Sequence, residues 1–142
     1  MRLYFAYGSN MSREQMALRC PKARLLGLGT ASEFKFLINR RGVDTIVPSP
    51  DNVVHGLVWE LSGQDAMRLD VYEGVAGGFY SKRVVAVDVS QQKISALAYV
   101  ATDEVPGPPR PGYLGRIVAA AAELNLPSIY VEELKSWSTI SA

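Results

Sequence analysis

Apolar and polar positions alternate along this chain in short blocks, and most blocks end on a turn residue or a capping signal. Leu3 to Tyr7 is an unbroken apolar and aromatic run that stops at Gly8-Ser9-Asn10, which predicts a strand entering a small polar turn. Ser12 and Gln15 form an S-x-x-Q capping box, so a helix is predicted from Arg13 to Arg19, stopped by Pro21. Phe34, Phe36 and Ile38 recur at period two within Ala31 to Asn39, a strand pattern. Asp44 to Val47 reads as a short strand before the turn Pro48-Ser49-Pro50-Asp51-Asn52. Val53 to Leu61 is apolar on nearly both faces, as an interior strand is.

The second half follows the same grammar. Ser62 and Asp65 give a second cap, and Gln64 to Glu73 reads as a helix closed by Gly74. Tyr80 to Val89 and Lys93 to Ala101 are strands joined by Ser90-Gln91-Gln92, a hairpin. Val105 to Pro111 is a proline-rich loop, Gly115 to Asn125 is helical up to Leu126-Pro127, and Ile129 to Trp137 is a last short helix. About six strands and four helices in irregular order depart from strict βαβ alternation. They predict an α+β fold, a small mixed, barrel-like sheet with flanking helices. No internal repeat and no long linker divides the chain, so residues 1–142 are expected to form a single domain.

Composition narrows the chemistry. Hydrophobic residues make up 48% of the 142 positions, enough for a core without staples. The formal net charge of +1 argues against a nucleic-acid groove built on bulk positive charge. The longest plain apolar run, Ile117 to Ala122, is far too short for a membrane span, and Leu3 to Tyr7 is too short for the core of a signal peptide. A cytoplasmic setting is the simplest expectation, and it suits the free thiol of Cys20. With one Cys and one His the chain cannot build a Cys/His zinc cage, so no metal is expected.

Glu73 is the most informative residue on physical grounds. On a helix from Gln64, Ala66, Leu69 and Glu73 share one face, and that face is apolar. The carboxylate also sits at the helix C-terminus, where the macrodipole disfavours negative charge. Both effects favour its protonated form, and Asp70, one turn earlier, adds like-charge repulsion if the two are close. A local rule broken in this way points to function; the alternative is a glutamate that extends past the glycines at 74, 77 and 78 into water. The turn after Tyr4-Phe5-Ala6-Tyr7 is the second candidate. Backbone N–H groups of Gly8-Ser9-Asn10 can converge on an anion or oxyanion, with Gly8 read as needed for close approach or a positive φ. A bland strand-to-helix turn has the same composition. Ser9 lacks the G-x-S-x-G frame of a nucleophile elbow, and any triad or Cys20 dyad would need His55, which lies inside a strand. The P-x-x-P loop at 106–111 could dock on an aromatic groove, or serve as a stiff segment that delivers Tyr113 to a fixed place.

These residues together resemble a known family. Tyr4-Phe5-Ala6-Tyr7-Gly8-Ser9-Asn10 resembles the Y-F-A-Y-G-S-N opening of the gamma-glutamylcyclotransferases. Leu69-Asp70, Glu73-Gly74-Val75 and Gly78-x-Tyr80 resemble that family's L-D, E-G-V and G-x-Y segment. Val54 to Trp59, Pro109 to Tyr113 and Leu126-Pro127-x-x-Tyr130 extend the likeness over nearly the whole chain. Asn125 stands where a glycine precedes Leu-Pro, Ala120 where a helix glycine is common, and His55 where some relatives carry Trp, a change that bears on the pocket wall.

The resemblance implies a small barrel and a reaction without metal or organic cofactor. In that reaction the free α-amine of a γ-glutamyl group attacks its own γ-carbonyl, 5-oxoproline closes, and an amine or amino acid leaves. It implies Glu73 as the proton carrier. It also implies substrate binding by Tyr4, Phe5, Ala6, Tyr7, Gly8, Ser9 and Asn10, and Tyr113 at the pocket border. A small γ-glutamyl molecule is then the partner, and a homodimer is the expected assembly. A non-catalytic binding module that keeps the pocket, and an interaction protein working through the proline loop, are the competing readings.

Overall fold

The computed structural model describes residues 2–139; Met1 and residues 140–142 lie outside it. Five strands close a barrel in the order β1-β3-β2-β4-β5. They are β1 (Arg2–Ala6), β2 (Arg24–Ile38), β3 (Asp44–Leu61), β4 (Tyr80–Val89) and β5 (Gln92–Ala101). Neighbours run antiparallel except β1 and β5, which meet in parallel at Tyr4 and Leu97 and close the ring. Four helices flank it: α1 (Arg13–Arg19), α2 (Gly63–Tyr72), α3 (Tyr113–Glu123) and α4 (Ser128–Ser136).

The two halves predicted as Asp44–Val47 and Val53–Leu61 are one strand, so the sheet has five strands where the pattern suggested six. Phe34 pairs with Pro48 and Ser32 with Val53, which leaves residues 49–52 opposite Glu33 alone. The Pro-Ser-Pro-Asp-Asn signal is therefore spent on a wide bulge within the β2–β3 ladder rather than on a chain reversal. Glu33 and Asp51 both adopt φ 64, and Asn52 Nδ2 donates to Ser49 Oγ at 2.7 Å across the bulge. β2 also begins earlier than its period-two pattern, at Arg24, because the stretch to Thr30 carries two glycines and half-exposed leucines that blur the alternation.

Both helix caps form as the spacing predicts. Ser12 Oγ accepts from the Gln15 N–H at 3.2 Å, and Ser62 Oγ accepts from the Asp65 N–H at 3.1 Å. Gly74, at φ 65, turns the chain out of α2, and Asn125, at φ 55, does the same after α3. Phe5, Ile38, Ile46, Leu57, Leu69, Ile117 and Leu134 are fully buried in one cluster spanning barrel and helices. Each such side chain contributes about 1.5–3 kcal/mol. Asp65 is buried too, accepting from the Lys22 N–H at 3.0 Å and pairing with Arg68 at 3.2 Å, which ties α2 to the start of β2. Among the described residues, no helix is long and apolar enough to cross a membrane.

Candidate active site

A cleft of about 240 Å³ opens where the end of β1, the start of β3 and the end of α2 converge. Tyr4 reaches it from β1 and Tyr7 from just beyond that strand, followed by Gly8, Ser9 and Asn10 of a short 3-10 turn. Glu73 and Gly74 come from the end of α2, Tyr80 from β4, Tyr99 from β5 and Tyr113 from the first turn of α3. Of the residues singled out from the sequence, Tyr4, Tyr7, Gly8, Ser9, Asn10, Glu73 and Tyr113 come together here. Phe5 and Ala6 do not reach the cleft: both are buried in the core, and the Ala6 carbonyl packs against Gly56. The whole Tyr4–Asn10 motif is contiguous in sequence, but the pleat puts Phe5 on the face opposite Tyr4, and Ala6 is covered where β1 pairs with β3.

Glu73 caps the C-terminus of α2, its N–H bonded to Leu69 O at 2.9 Å. It is half-buried, and its carboxyl is pushed up to about 7, first by burial and then by the nearby charge of Asp44, with Arg19 acting in the opposite direction. Asp70 is not the like charge that the helix spacing suggested. Its carboxylate turns away to accept from Tyr99 Oη at 2.6 Å and Lys82 Nζ at 3.0 Å. Burial pushes Asp70 up, but those two donors outweigh it and hold the group below the usual carboxylate range.

The raised value has a stability consequence. Between the ordinary 4.5 and about 7, folded Glu73 keeps a proton that the unfolded chain has released, so stability falls as pH rises through that window. Glu73→Gln removes the penalty. At pH 8 the variant is expected to be more stable than the wild type by about 1–3 kcal/mol, with the two converging near pH 4. Thermal melts at both pH values check this; a variant that melts lower at pH 8 contradicts it.

The turn is held from below by a polar network. Asn10 Nδ2 donates to Tyr4 Oη at 3.0 Å, and Arg19 Nη1 donates to Asn10 Oδ1 at 2.9 Å. The Gln15 amide oxygen accepts from Arg19 at 2.7 and 2.8 Å and from Ser9 Oγ at 3.0 Å. Trp59 Nε1 donates to Asn10 O at 3.2 Å, and Tyr7 Oη donates to Tyr99 O. Burial raises the hydroxyls of Tyr4, Tyr7, Tyr80, Tyr99 and Tyr113 above their ordinary value, so they stay protonated and act as hydrogen-bond groups. Gly8 has φ −118, so no positive φ is needed there. Its requirement is space: a β-carbon would stand 1.8 Å from Asp44 Oδ2.

The proline loop serves as a fixed support for this site. Gly107 N–H bonds to Ile38 O at 3.0 Å and Arg110 N–H to Gly42 O at 3.1 Å, which fastens the loop to the β2–β3 connection and sets Tyr113 against Asp44. Asp44, Tyr80, Tyr99, Arg19, Arg41 and Arg110 line the cleft without having been singled out from the sequence for it. Asp44 left a trace, as the acid that opens the short strand read from Asp44 to Val47.

The hydroxyl and thiol alternatives are not assembled. Ser9 Oγ is turned to the Gln15 amide. His55 packs on Tyr130 of α4 at 4.6 Å between ring centroids, outside the cleft, so it forms no part of the pocket wall. Cys20 is buried beside Asp65 O, its thiol pushed up to about 11 by burial. Among the described residues, no cluster of three or more His, Cys, Asp or Glu is placed to hold a metal.

The AIG2-like family model matches residues 53–134. The human protein named gamma-glutamylcyclotransferase is 35% identical over 147 residues, spanning 94% of this chain and 77% of that protein. The chain belongs to the gamma-glutamylcyclotransferase family. The bovine gamma-glutamylcyclotransferase is 34% identical over the same shares of both chains. A solved structure named gamma-glutamyl cyclotransferase superposes with a TM-score of 0.86 at 33% identity, over 99% of this chain and 88% of that one. A Bacillus subtilis protein, 21% identical, shares the fold with a TM-score of 0.84 over 99% of this chain and 55% of its own. The superposition on that solved cyclotransferase spans 99% of this chain, and so the segments on both sides of residue 53 that carry the cleft.

Proposed function

We propose that this member of the gamma-glutamylcyclotransferase family catalyses the cyclisation that its relatives are named for, releasing 5-oxoproline from a small γ-glutamyl compound. The observation that carries the reading is Glu73: a half-buried carboxylate, with burial raising its proton affinity toward neutrality, in the cleft that the Gly8–Asn10 turn also lines. An ordinary glutamate, at 4.5, is too weak a base for an ammonium group. This one is far better matched.

The nucleophile comes with the substrate, which is why the cleft needs no activated Ser or Cys. Glu73 takes one proton from the α-ammonium, and the freed amine attacks the γ-carbonyl carbon. A carbon–nitrogen bond forms and the carbonyl oxygen gains negative charge. As the tetrahedral centre collapses, the bond to the leaving nitrogen breaks and that nitrogen receives the proton from Glu73. The ring nitrogen then sheds its extra proton, and Glu73 passes it to the released amine. The products are a neutral lactam and an ammonium, with Glu73 returned to its starting form.

In this reading the Gly8–Asn10 amides receive an anionic part of the substrate, the α-carboxylate or the oxyanion, and Tyr113 lines the same cleft. Holding the γ-glutamyl chain in the folded conformation that lets its two ends meet supplies much of the acceleration. The scheme draws on no metal or organic cofactor, and the family resemblance adds a homodimer and a cytoplasmic setting to the reading. The test is incubation of the purified protein with γ-glutamyl-alanine in the presence of EDTA, followed by detection of 5-oxoproline. Release of 5-oxoproline in EDTA is expected; loss of turnover that a divalent metal restores would overturn the scheme.

A further inference from the structure

Asp44 is a buried charge that this scheme leaves without a task. It is only 8% exposed, yet it lines the cleft. Its Oδ1 accepts from Tyr113 Oη at 2.8 Å and from Tyr80 Oη at 3.2 Å. The same two hydroxyls grip its backbone, Tyr80 donating to Asp44 O at 2.6 Å and Tyr113 accepting from the Asp44 N–H at 3.2 Å. Oδ2 receives no hydrogen bond from any described residue and lies against the bare Cα of Gly8. One oxygen is thus clamped and the other is presented to the cleft.

A carboxylate taken out of water is costly unless a cation meets it. Among the described residues Asp44 forms no ion pair. Arg19 acts on it through space but spends its own hydrogen bonds on Asn10 and Gln15. Glu73, of like sign, makes the position worse, and the facing Tyr7, Tyr80 and Tyr113 carry no charge. Burial accordingly pushes Asp44 above the ordinary carboxylate value, against the pull of the tyrosine hydrogen bonds. What is missing is a small cation that donates hydrogen bonds.

We infer that Asp44 Oδ2 receives the α-ammonium of the γ-glutamyl group and fixes it beside Glu73. The assignment rests on the cyclotransferase reading and divides the work between two carboxylates. The arriving ammonium favours the ionised form of Asp44, which accepts one of its N–H groups. Glu73 takes the proton. The arrangement also explains why residue 8 has no side chain, since any β-carbon would displace the oxygen that the ammonium must find.

The test measures binding in the Glu73→Gln background, where turnover is blocked and Asp44 is the carboxylate that remains at the floor of the cleft. Calorimetry compares γ-glutamyl-alanine with glutaryl-alanine, which is the same molecule without its α-amine. Glu73→Gln is expected to bind the γ-glutamyl compound at least about tenfold more tightly. Adding Asp44→Asn, which keeps the shape and the tyrosine contacts, is expected to bring the two affinities together. If the double variant keeps the tenfold preference, or weakens both ligands equally, Asp44 is only structural and the inference fails. Should the double variant not fold, equal binding of the two ligands by Glu73→Gln alone overturns it. Failure of the wild-type protein to form 5-oxoproline overturns the cyclotransferase reading and this assignment with it, whereas a normal yield with an unchanged preference removes the assignment alone.

Discussion

Glu73→Gln is expected to leave the protein folded and to lower turnover of a γ-glutamyl dipeptide by roughly 10²–10⁴-fold or more. The side chains are nearly isosteric, so the end of α2, the Leu69 hydrogen bond and the Gly74 turn have no reason to move. What the amide lacks is the ability to hold and release a proton. In the proposed scheme one group serves both the ammonium and the leaving nitrogen, so two steps fail together and the upper end of the range applies. The carboxylate destabilises the folded protein at neutral pH, so activity and stability should change in opposite directions, as they do where a strained group is kept for its chemistry. A purified, folded Glu73→Gln protein that kept more than about a tenth of wild-type kcat/KM would show that another group moves the protons.

Gly8→Ala is expected to be the next most damaging small change. A single methyl at this position would stand 1.8 Å from Asp44 Oδ2 and 3.0 Å from its Cγ, so either the turn or the carboxylate must shift. Asp44 Oδ1 is held by Tyr80 and Tyr113 while Oδ2 is not, so the carboxylate must rotate off those hydroxyls or the turn must give way. Either movement disturbs the proposed site, taking Oδ2 from the place argued for the ammonium or the Gly8–Asn10 turn from its place at the cleft. A displacement of about 1 Å in such a site costs about 10²-fold in rate. Gly63→Ala is the matched control, since a β-carbon there meets nothing within 4 Å and the site lies at the start of α2. Steady-state kinetics on the two variants decide the point. Equal activity would mean that the close approach at Gly8 has no functional weight.

Much of this architecture could be read from residue order, and the failures have identifiable causes. The helix at Arg13–Arg19 and the start of α2 followed from Ser12 and Ser62, because capping is a local interaction between residues three apart. Helix periodicity offered Glu73 the inner face, with an extension past the glycines into water as the alternative, and the structure puts it in the cleft wall. The identity of its charged neighbour did not follow from that periodicity. Asp70 is close in sequence but is drawn off by Tyr99 and Lys82, while Asp44 arrives from another strand through barrel closure. No spacing rule links residues 44 and 73. The Pro48–Asn52 segment was misread for the opposite reason: its turn chemistry is real, but the partner strand continues past it, and a bulge absorbs what would otherwise reverse the chain. Phe5 and Ala6 share the motif of the binding turn and yet belong to the core: Phe5 lies on the strand face opposite Tyr4, and the small Ala6 is covered where β1 pairs with β3.

The most direct measurement of the central claim is product analysis with a pair of substrates, γ-glutamyl-alanine and its N-acetyl derivative. Acetylation leaves the amide bond that would be cleaved and removes the internal nucleophile. The wild-type protein is expected to convert the first compound to 5-oxoproline and alanine, and to leave the second untouched over the same time. Appearance of N-acetylglutamate and alanine from the blocked substrate would contradict cyclisation and point to an external nucleophile, water or Ser9, in the same cleft.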